Sequence, residues 1–175
     1  MDRTYFLAAN SGRGFFSLYE GFPPEGAFLH IIKGGPGTGK SGFMRRIRQA
    51  AWDRGLDTET VLCSGDPDSL DGLYIPALKL AWVDGTAPHV REPEVFGGNA
   101  DYVNLGIFCK TPLAEEDREK AAALTKAYRA CYAQAAEKLA EGKRLHDELE
   151  AVYKPYVDFD ALTAFTDETI EKLFE

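Results

Sequence analysis

The sequence predicts an α/β fold in which a mostly parallel sheet is flanked by helices and followed by a long helical segment. Residues 27–32 form a nearly continuous apolar run, which is typical of a strand buried on both faces of a parallel sheet. A glycine-rich segment follows, and from Ser41 onward the apolar residues recur with the period of a helix. Beyond residue 111 the helical pattern continues almost to the end of the chain.

The remaining elements follow from shorter patterns. Strands are predicted at residues 5–8, 58–63 and 78–83, which are apolar or β-branched runs bounded by turn residues. Residues 10–14 are expected to form a loop, and residues 15–19 a single helical turn. The 64–77 segment is barely long enough for a parallel crossover, so the relative direction of the strands on either side stays open.

The long helical segment is predicted to open at Thr111 and Pro112, because Thr is a good N-cap and Pro suits the first helical position. Gly142 is a point where the helix could bend, and Lys154 and Pro155 should end it. A last helix is expected at 166–175. An apolar stripe along the long segment consists of Leu124, Tyr128, Cys131, Ala135, Gly142, Leu145, Leu149 and Val152.

Composition excludes several classes of protein. The formal net charge of −8 argues against a nucleic-acid binder and against docking on an anionic membrane surface. No apolar stretch approaches the ~18 residues of a membrane span, and the N-terminus lacks the pattern of a signal peptide. The 3 cysteines are widely spaced and suggest neither a zinc site nor a redox motif. We therefore expect a cytoplasmic protein with reduced thiols.

Residues 34–41, GGPGTGKS, match the phosphate-binding P-loop pattern, with an apolar strand before them and an amphipathic helix after them. Glycines let backbone amides turn toward a β-phosphate, and the helix start adds free N–H groups. Lys40 should reach the β- and γ-phosphates, and Ser41 should place its hydroxyl on Mg²⁺. The alternative is a chance glycine-rich turn. The predicted nucleotide-binding residues are Gly35, Pro36, Gly37, Thr38, Gly39, Lys40, Ser41 and Gly42.

A second metal anchor is predicted at Asp84, because an apolar strand leads directly into it; a plain Asp-Gly turn is the alternative. Hydrolases of this class usually carry a glutamate at the next position, where this chain has Gly85. Asp66 and Asp68, after the second core strand, are therefore candidates to orient a water or accept a proton. An Asx turn around Pro67 explains both aspartates equally well.

Other charged residues are weaker candidates. His89 could sense a γ-phosphate, and Arg13 and Arg91 could stabilise phosphate charge, but solvated loop residues are the simpler interpretation. Three arginines after the loop, Arg45, Arg46 and Arg48, should form a solvated helix face, with a basic patch for nucleic acid as the alternative. The absence of an Asn-Lys-x-Asp motif favours adenine over guanine.

Four segments resemble a family of bacterial P-loop ATP-binding proteins of poorly defined function, best known from Firmicutes. They are residues 5–22 (YFLAANSGRGFFSLYEGF), 32–43 (IKGGPGTGKSGF), 63–76 (CSGDPDSLDGLYIP) and 83–90 (VDGTAPHV). Members of this family usually carry two P-loop units in tandem, so the chain resembles the N-terminal unit. The resemblance implies ATP binding, and a second unit or a homo-oligomer would then supply the sheet strands not recognised here and an activating arginine.

These observations predict a P-loop NTPase-like core at residues 1–110 and a helical extension at 111–175, packed on the core or projecting from it. The first functional hypothesis is a Mg²⁺-dependent ATPase that acts as a conformational switch, with ATP and Mg²⁺ as cofactors and Lys40, Asp66 and Asp68 as catalytic residues. A small-molecule kinase that uses Asp66 and Asp68 is the second. The third is a non-hydrolysing nucleotide sensor or interaction module, which Gly85 suggests. Nucleic acid and membranes are not expected as partners.

Overall fold

The computed structural model describes residues 2–87, 90–93, 95, 97–110 and 112–174. Its strands are β1 Arg3–Phe6, β2 Ala8–Ser11, β3 Gly14–Ser17, β4 Phe28–Lys33, β5 Glu59–Leu62, β6 Leu70–Ile75, β7 Leu80–Asp84 and β8 Ala100–Asn104. Its α-helices are α1 Lys40–Trp52, α2 Glu115–Tyr153 and α3 Phe159–Phe174. Among the described residues, no helix is both long enough and apolar enough to cross a membrane.

Six strands form one sheet in the order β1-β5-β6-β7-β4-β8, and β2 and β3 form a separate antiparallel hairpin. Only β6 runs against its neighbours; β1 is parallel to β5, and β4 is parallel to β7 and β8. The predicted α/β class with a mostly parallel sheet is therefore confirmed, as is the long helix after it. The sheet includes β6 and β8, strands that the sequence left unassigned.

The structure answers one question that the sequence left open for the first half of the chain and corrects one prediction. The 64–77 segment contains β6, which returns antiparallel between β5 and β7 and so makes those two strands parallel. The apolar run of β6 is interrupted by Asp71 and Gly72, which hid it. The helical turn expected at residues 15–19 is instead mostly β3, where aromatic side chains suit a hairpin strand.

The helical half also starts differently from the prediction. Helix α2 begins at Glu115 with Ala114 at its N-cap, so Pro112 is not its first residue, and Thr111 lies outside the described residues. Its first turn contains Glu115, Glu116 and Asp117, whose charges suit the positive end of the helix dipole. The helix continues through Gly142 without a break. Helix α3 begins at Phe159 rather than at residue 166, and the Asp158 carboxylate accepts a hydrogen bond from the Ala161 N–H at 2.9 Å.

The sheet is covered on both faces. Helix α1 packs on one face, where Met44 is 0% exposed beside a cluster of strand residues that includes Ile32, Leu73 and Ile75. On the other face, Tyr19 and Phe22, from the segment after the β2–β3 hairpin, are buried against residues of the same strands. The residue pattern explains this arrangement, because buried parallel strands are apolar on both sides.

Helix α2 has no buried residue and meets the core at few places. A Cβ added to Gly12 would lie 2.9 Å from the Leu139 carbonyl oxygen, and one added to Gly65 would lie 2.4 Å from the Tyr132 hydroxyl. The residues that line cavities against the core are Thr125, Tyr128, Arg129, Tyr132, Ala133 and Ala136. Of the apolar stripe predicted from sequence, only Tyr128 belongs to this inward face.

We expect Met44→Ala to lower the free energy of unfolding by about 2–5 kcal/mol, because the deletion leaves a cavity between α1 and the sheet. Leu124→Ala on α2 is the control, since that side chain is 60% exposed, and it should change stability by less than about 0.5 kcal/mol. Urea denaturation followed by fluorescence of Trp52 and Trp82 measures both. Equal midpoints for the two variants would contradict the packing of α1 described here.

Candidate functional site

The segment between β4 and α1 has a backbone that depends on glycine. Gly37 has φ of +74° and Gly39 has φ of +88°, a region that other residues rarely adopt. At Gly34 the constraint is space, because an added Cβ would lie 2.5 Å from the Thr38 Oγ1. The Thr38 hydroxyl in turn donates to the Gly35 carbonyl at 2.8 Å and closes the loop on itself. The loop is thus folded tightly directly above the end of β4.

The N-terminus of α1 is open toward this loop. No side chain caps it, and its first turn carries no acidic residue. The Phe43 N–H donates to the Gly39 carbonyl at 2.8 Å as the first α-helical hydrogen bond at this end. The amides before it have no intrahelical acceptor, and the helix dipole places partial positive charge there. Such an end binds anions, and here it opens into a cavity.

Lys40 lies across the loop. Its Nζ donates to the carbonyls of Gly34 at 3.1 Å and Gly35 at 3.0 Å. The same ammonium is 3.5 Å from Oδ2 of Asp84, and both side chains are largely shielded, at 11% and 14% exposure. The Lys40 charge is therefore held at the loop between main-chain oxygens and a carboxylate.

Asp84 reaches the loop because its strand, β7, is the neighbour of β4, with Ile32 opposite Asp84 in the parallel register. Its Oδ1 accepts a hydrogen bond from the Thr86 N–H at 2.9 Å, so it also forms the turn that the sequence offered as an alternative. One carboxylate oxygen of Asp84 thus closes the turn and the other faces Lys40, while its role as a metal anchor stays a prediction.

Gly85 has no room for a side chain. An added Cβ would lie 2.3 Å from Ile31 Cγ2, and the Gly85 N–H donates to the Ile32 carbonyl at 3.0 Å. Ile31 is 0% exposed and is held in the core. A glutamate at this position would therefore clash with the core, so a second carboxylate near Asp84 has to come from another part of the fold.

Strand β6 brings such a group to the same edge of the sheet. Because β6 is antiparallel, its first residues lie where the parallel strands end, and the Leu70 N–H donates to Ser41 Oγ at 3.0 Å. Gly72 pairs with Val83, so Asp71 and Asp84 follow at the same end of these two strands, and both line the cavity beside the loop. Asp71 is only 5% exposed, and sequence analysis missed it because β6 was not recognised.

The two aspartates proposed from sequence as catalytic residues lie further out. Asp66 is exposed but lines the cavity, and its Oδ1 accepts a hydrogen bond from the Asp68 N–H at 3.2 Å. This is the Asx turn that was weighed against a catalytic role. Asp68 is exposed and is not among the residues that line the cavity. Of the pair, the structure brings only Asp66 to the candidate site.

The cavity has a volume of about 660 Å³. Its floor consists of the glycine-rich loop and the start of α1, residues 34–42. The other lining residues are Cys63, Asp66, Ser69, Asp71, Asp84, Thr86, Ala87, Thr125, Tyr128 and Arg129. Helix α2 supplies the last three, so the predicted extension contributes to the wall of the site.

A second cavity of about 350 Å³ adjoins the first between α2 and the β2–β3 hairpin, and the two share Cys63, Tyr128 and Arg129. Burial raises the pKa of the Cys63 thiol, and the Asp71 carboxylate raises it further, so the thiol stays protonated at neutral pH. Burial likewise raises the pKa of Tyr19, with Asp71, Cys63 and Asp84 adding to the effect. The negative charge of Asp71 and Asp84 near the loop favours the binding of a cation there.

The arginines and the histidine weighed as minor candidates lie elsewhere. Arg13 is exposed in the turn of the β2–β3 hairpin, and the Arg91 guanidinium donates to the Tyr19 carbonyl. Neither lines the cavity beside the loop. His89 lies outside the described residues.

The three arginines of α1 divide into two environments. Arg45 and Arg46 are exposed, as predicted for a solvated face. The Arg48 guanidinium lies over the Trp52 ring at 4.6 Å from its centroid, and its side chain is half-buried. Burial lowers the pKa of Arg48. The face is therefore only partly a solvated surface.

His146, Asp147 and Glu150 are close enough together on α2 to hold a metal ion. All three are exposed, and ion pairs along the helix account for them: His146 lies 3.0 Å from Glu150, and Asp147 pairs with Lys143. No metal site needs to be inferred there.

Comparisons with known proteins gave no match to a protein-family model, to a curated protein or to a solved structure. The resemblance to P-loop ATP-binding proteins therefore stays a prediction. The evidence for function is therefore the geometry of the loop, the Asp71 and Asp84 carboxylates and α2.

We expect Gly85→Ala to lower the free energy of unfolding by about 1–3 kcal/mol, because its Cβ meets Ile31 in a packed core. Gly21→Ala is the matched control, since an added Cβ there has open space. Urea denaturation measures both changes. A Gly85→Ala variant as stable as the control would show that a side chain can be accommodated beside Asp84.

Proposed function

We propose that the chain binds Mg²⁺-ATP at residues 34–41 and hydrolyses it as part of a conformational switch. One observation carries the proposal: Lys40 lies over a glycine-dependent loop at an open helix N-terminus, 3.5 Å from the Asp84 carboxylate on the neighbouring strand. This is the combination of main-chain donors, one cation and one carboxylate that phosphoryl transfer uses in P-loop NTPases.

The phosphates would be held by the chain as follows. Amides at the start of α1 would donate to β-phosphate oxygens, since they have no acceptor within the helix. The Lys40 ammonium would exchange its bonds to the Gly34 and Gly35 carbonyls for bonds to phosphate oxygens. A bond between two charged groups is stronger than one to a neutral carbonyl, so this exchange favours the bound state.

The residues also fit a magnesium ion. The Ser41 hydroxyl and the Asp84 carboxylate line the cavity and offer the oxygen ligands that Mg²⁺ prefers. Bound there, Mg²⁺ would neutralise charge on the β- and γ-phosphates.

For hydrolysis we assign Asp71 as the group that activates water, because Gly85 cannot carry a glutamate. The Asp71 carboxylate would take a proton from a water molecule whose oxygen bonds to the γ-phosphorus. The bond from that phosphorus to the β–γ bridging oxygen breaks, and ADP leaves with the electron pair. Asp71 then releases its proton to solvent.

A small-molecule kinase is the second candidate, because Asp66 lines the same cavity and faces space that an acceptor could occupy. In that case an acceptor hydroxyl would replace the water, and ADP formation would depend on the acceptor. Hydrolysis in the absence of any acceptor favours the ATPase.

We expect Lys40→Ala to weaken binding of Mg²⁺-ATP about 10- to 150-fold, since hydrogen bonds to charged groups are worth about 1.5–3 kcal/mol. Lys138→Ala is the control, because that lysine is exposed on α2 and pairs with Glu141. Isothermal titration calorimetry measures both. A wild-type protein that gave no heat with Mg²⁺-ATP would refute the proposal.

We expect Asp71→Asn to reduce ATP turnover about 100-fold or more, the lower range for loss of a general base, while Mg²⁺-ATP binding changes little. Asp66→Asn should leave turnover within a few-fold of the wild type. A phosphate-release assay measures ATP turnover, and calorimetry on the same preparations measures Mg²⁺-ATP binding. If Asp66→Asn abolishes turnover and Asp71→Asn does not, the base is Asp66, as sequence analysis suggested. If ATP binds and no preparation consumes it, the chain does not hydrolyse ATP on its own, and the nucleotide sensor or the acceptor-dependent kinase replaces the ATPase.

A further inference from the structure

Several lysines and arginines of α2 are paired along the helix with an acidic residue three or four positions away. The pairs are Arg118 with Glu115, Lys138 with Glu141, Lys143 with Asp147, and Arg144 with Glu148. Such pairs keep long charged side chains on the solvent side of a helix. Arg129 does not follow this pattern.

Arg129 has no such partner in the sequence of α2. The residues three and four positions away are Lys126, Thr125, Tyr132 and Ala133, none of which is acidic. Within the part of the chain that the structure describes, Arg129 forms no hydrogen bond or ion pair. Its charge is therefore available to a ligand.

The position of Arg129 indicates which kind of ligand it would bind. It lines the cavity of about 660 Å³ together with Thr125 and Tyr128, and the glycine-rich loop and Lys40 line the same cavity. A guanidinium is a planar donor that suits a phosphate with two parallel hydrogen bonds. Sequence analysis placed the activating arginine in a partner, whereas this one belongs to the same chain.

We propose that Arg129 contacts the γ-phosphate of the bound nucleotide and thereby couples the position of α2 to the presence of that phosphate. This inference depends on the proposed function, since it needs a nucleoside triphosphate at the loop. Helix α2 touches the core closely at Gly12 and Gly65 and has no buried residue. One charge-assisted contact would therefore add substantially to the few that hold it.

The test compares nucleotides that differ only in the γ-phosphate. For Arg129→Ala we expect binding of a non-hydrolysable ATP analogue with Mg²⁺ to weaken about 10- to 150-fold, the effect of losing hydrogen bonds to a charged group. ADP binding should change less than about twofold, because ADP lacks the contacted group. Lys126→Ala is the control: it is exposed on the same helix, one turn away, and does not line the cavity.

A second readout reports on α2 itself. In the wild type, the ATP analogue should slow amide hydrogen exchange across residues 125–139 more than ADP does, and Arg129→Ala should abolish this difference. Arg129→Lys keeps the charge without the planar donor and should restore part of both effects. Because alanine favours helix, Arg129→Ala should leave the helix content of the free protein unchanged by circular dichroism.

The outcomes separate this inference from the proposed function. If the wild type binds the ATP analogue and Arg129→Ala binds both nucleotides as the wild type does, Arg129 does not contact the γ-phosphate, and ATP binding stands. Equal losses for the analogue and ADP also overturn the inference, because they indicate a role in binding every nucleotide. If the wild type binds neither nucleotide, the proposed function itself is wrong.

Discussion

The arrangement of the candidate site depends on one constraint, the direct pairing of β4 with β7. The loop after β4 carries Lys40, and the end of β7 carries Asp84, so the register that sets Ile32 opposite Asp84 fixes their approach. The same packing forbids a side chain at Gly85, because Ile31 fills that space. The sheet therefore brings a carboxylate to the lysine and excludes another from the adjacent position.

What the sequence could predict was local. The loop, the strand before it and α1 follow from neighbouring residues, whose glycine pattern and helical period are read directly. Asp84 was found in the same way, at the end of an apolar run. Asp71 was not, because its place near the end of β7 arises only when β6 turns back between β5 and β7. A polar residue and a glycine within a six-residue strand leave too short an apolar pattern to recognise.

Helix α2 also shows that the sequence predicts local structure better than tertiary contacts. Its existence and most of its length followed from periodicity, but the face turned to the core did not. The predicted apolar stripe is mostly exposed. The face toward the cavities combines small, aromatic and charged residues. Hydrophobic periodicity assumes that the buried face is the apolar one. A helix that borders a polar cavity breaks that assumption, so the inward position of Arg129 could be found only from the fold.

The exposed positions of α2 and α3 bear on how a switch could work. Neither helix has a buried residue, although Leu149, Phe165 and Leu173 are apolar. A helix held at few points gains little stability from packing, so a small change at its base shifts its equilibrium position. At about 1.5 Å per residue, the 39 residues of α2 extend about 58 Å, so a small rotation near Arg129 becomes a large displacement at its far end. A ligand contact at Arg129 would thus act where α2 meets the core, and it would move the distant part of α2, where apolar side chains such as Leu149 are exposed.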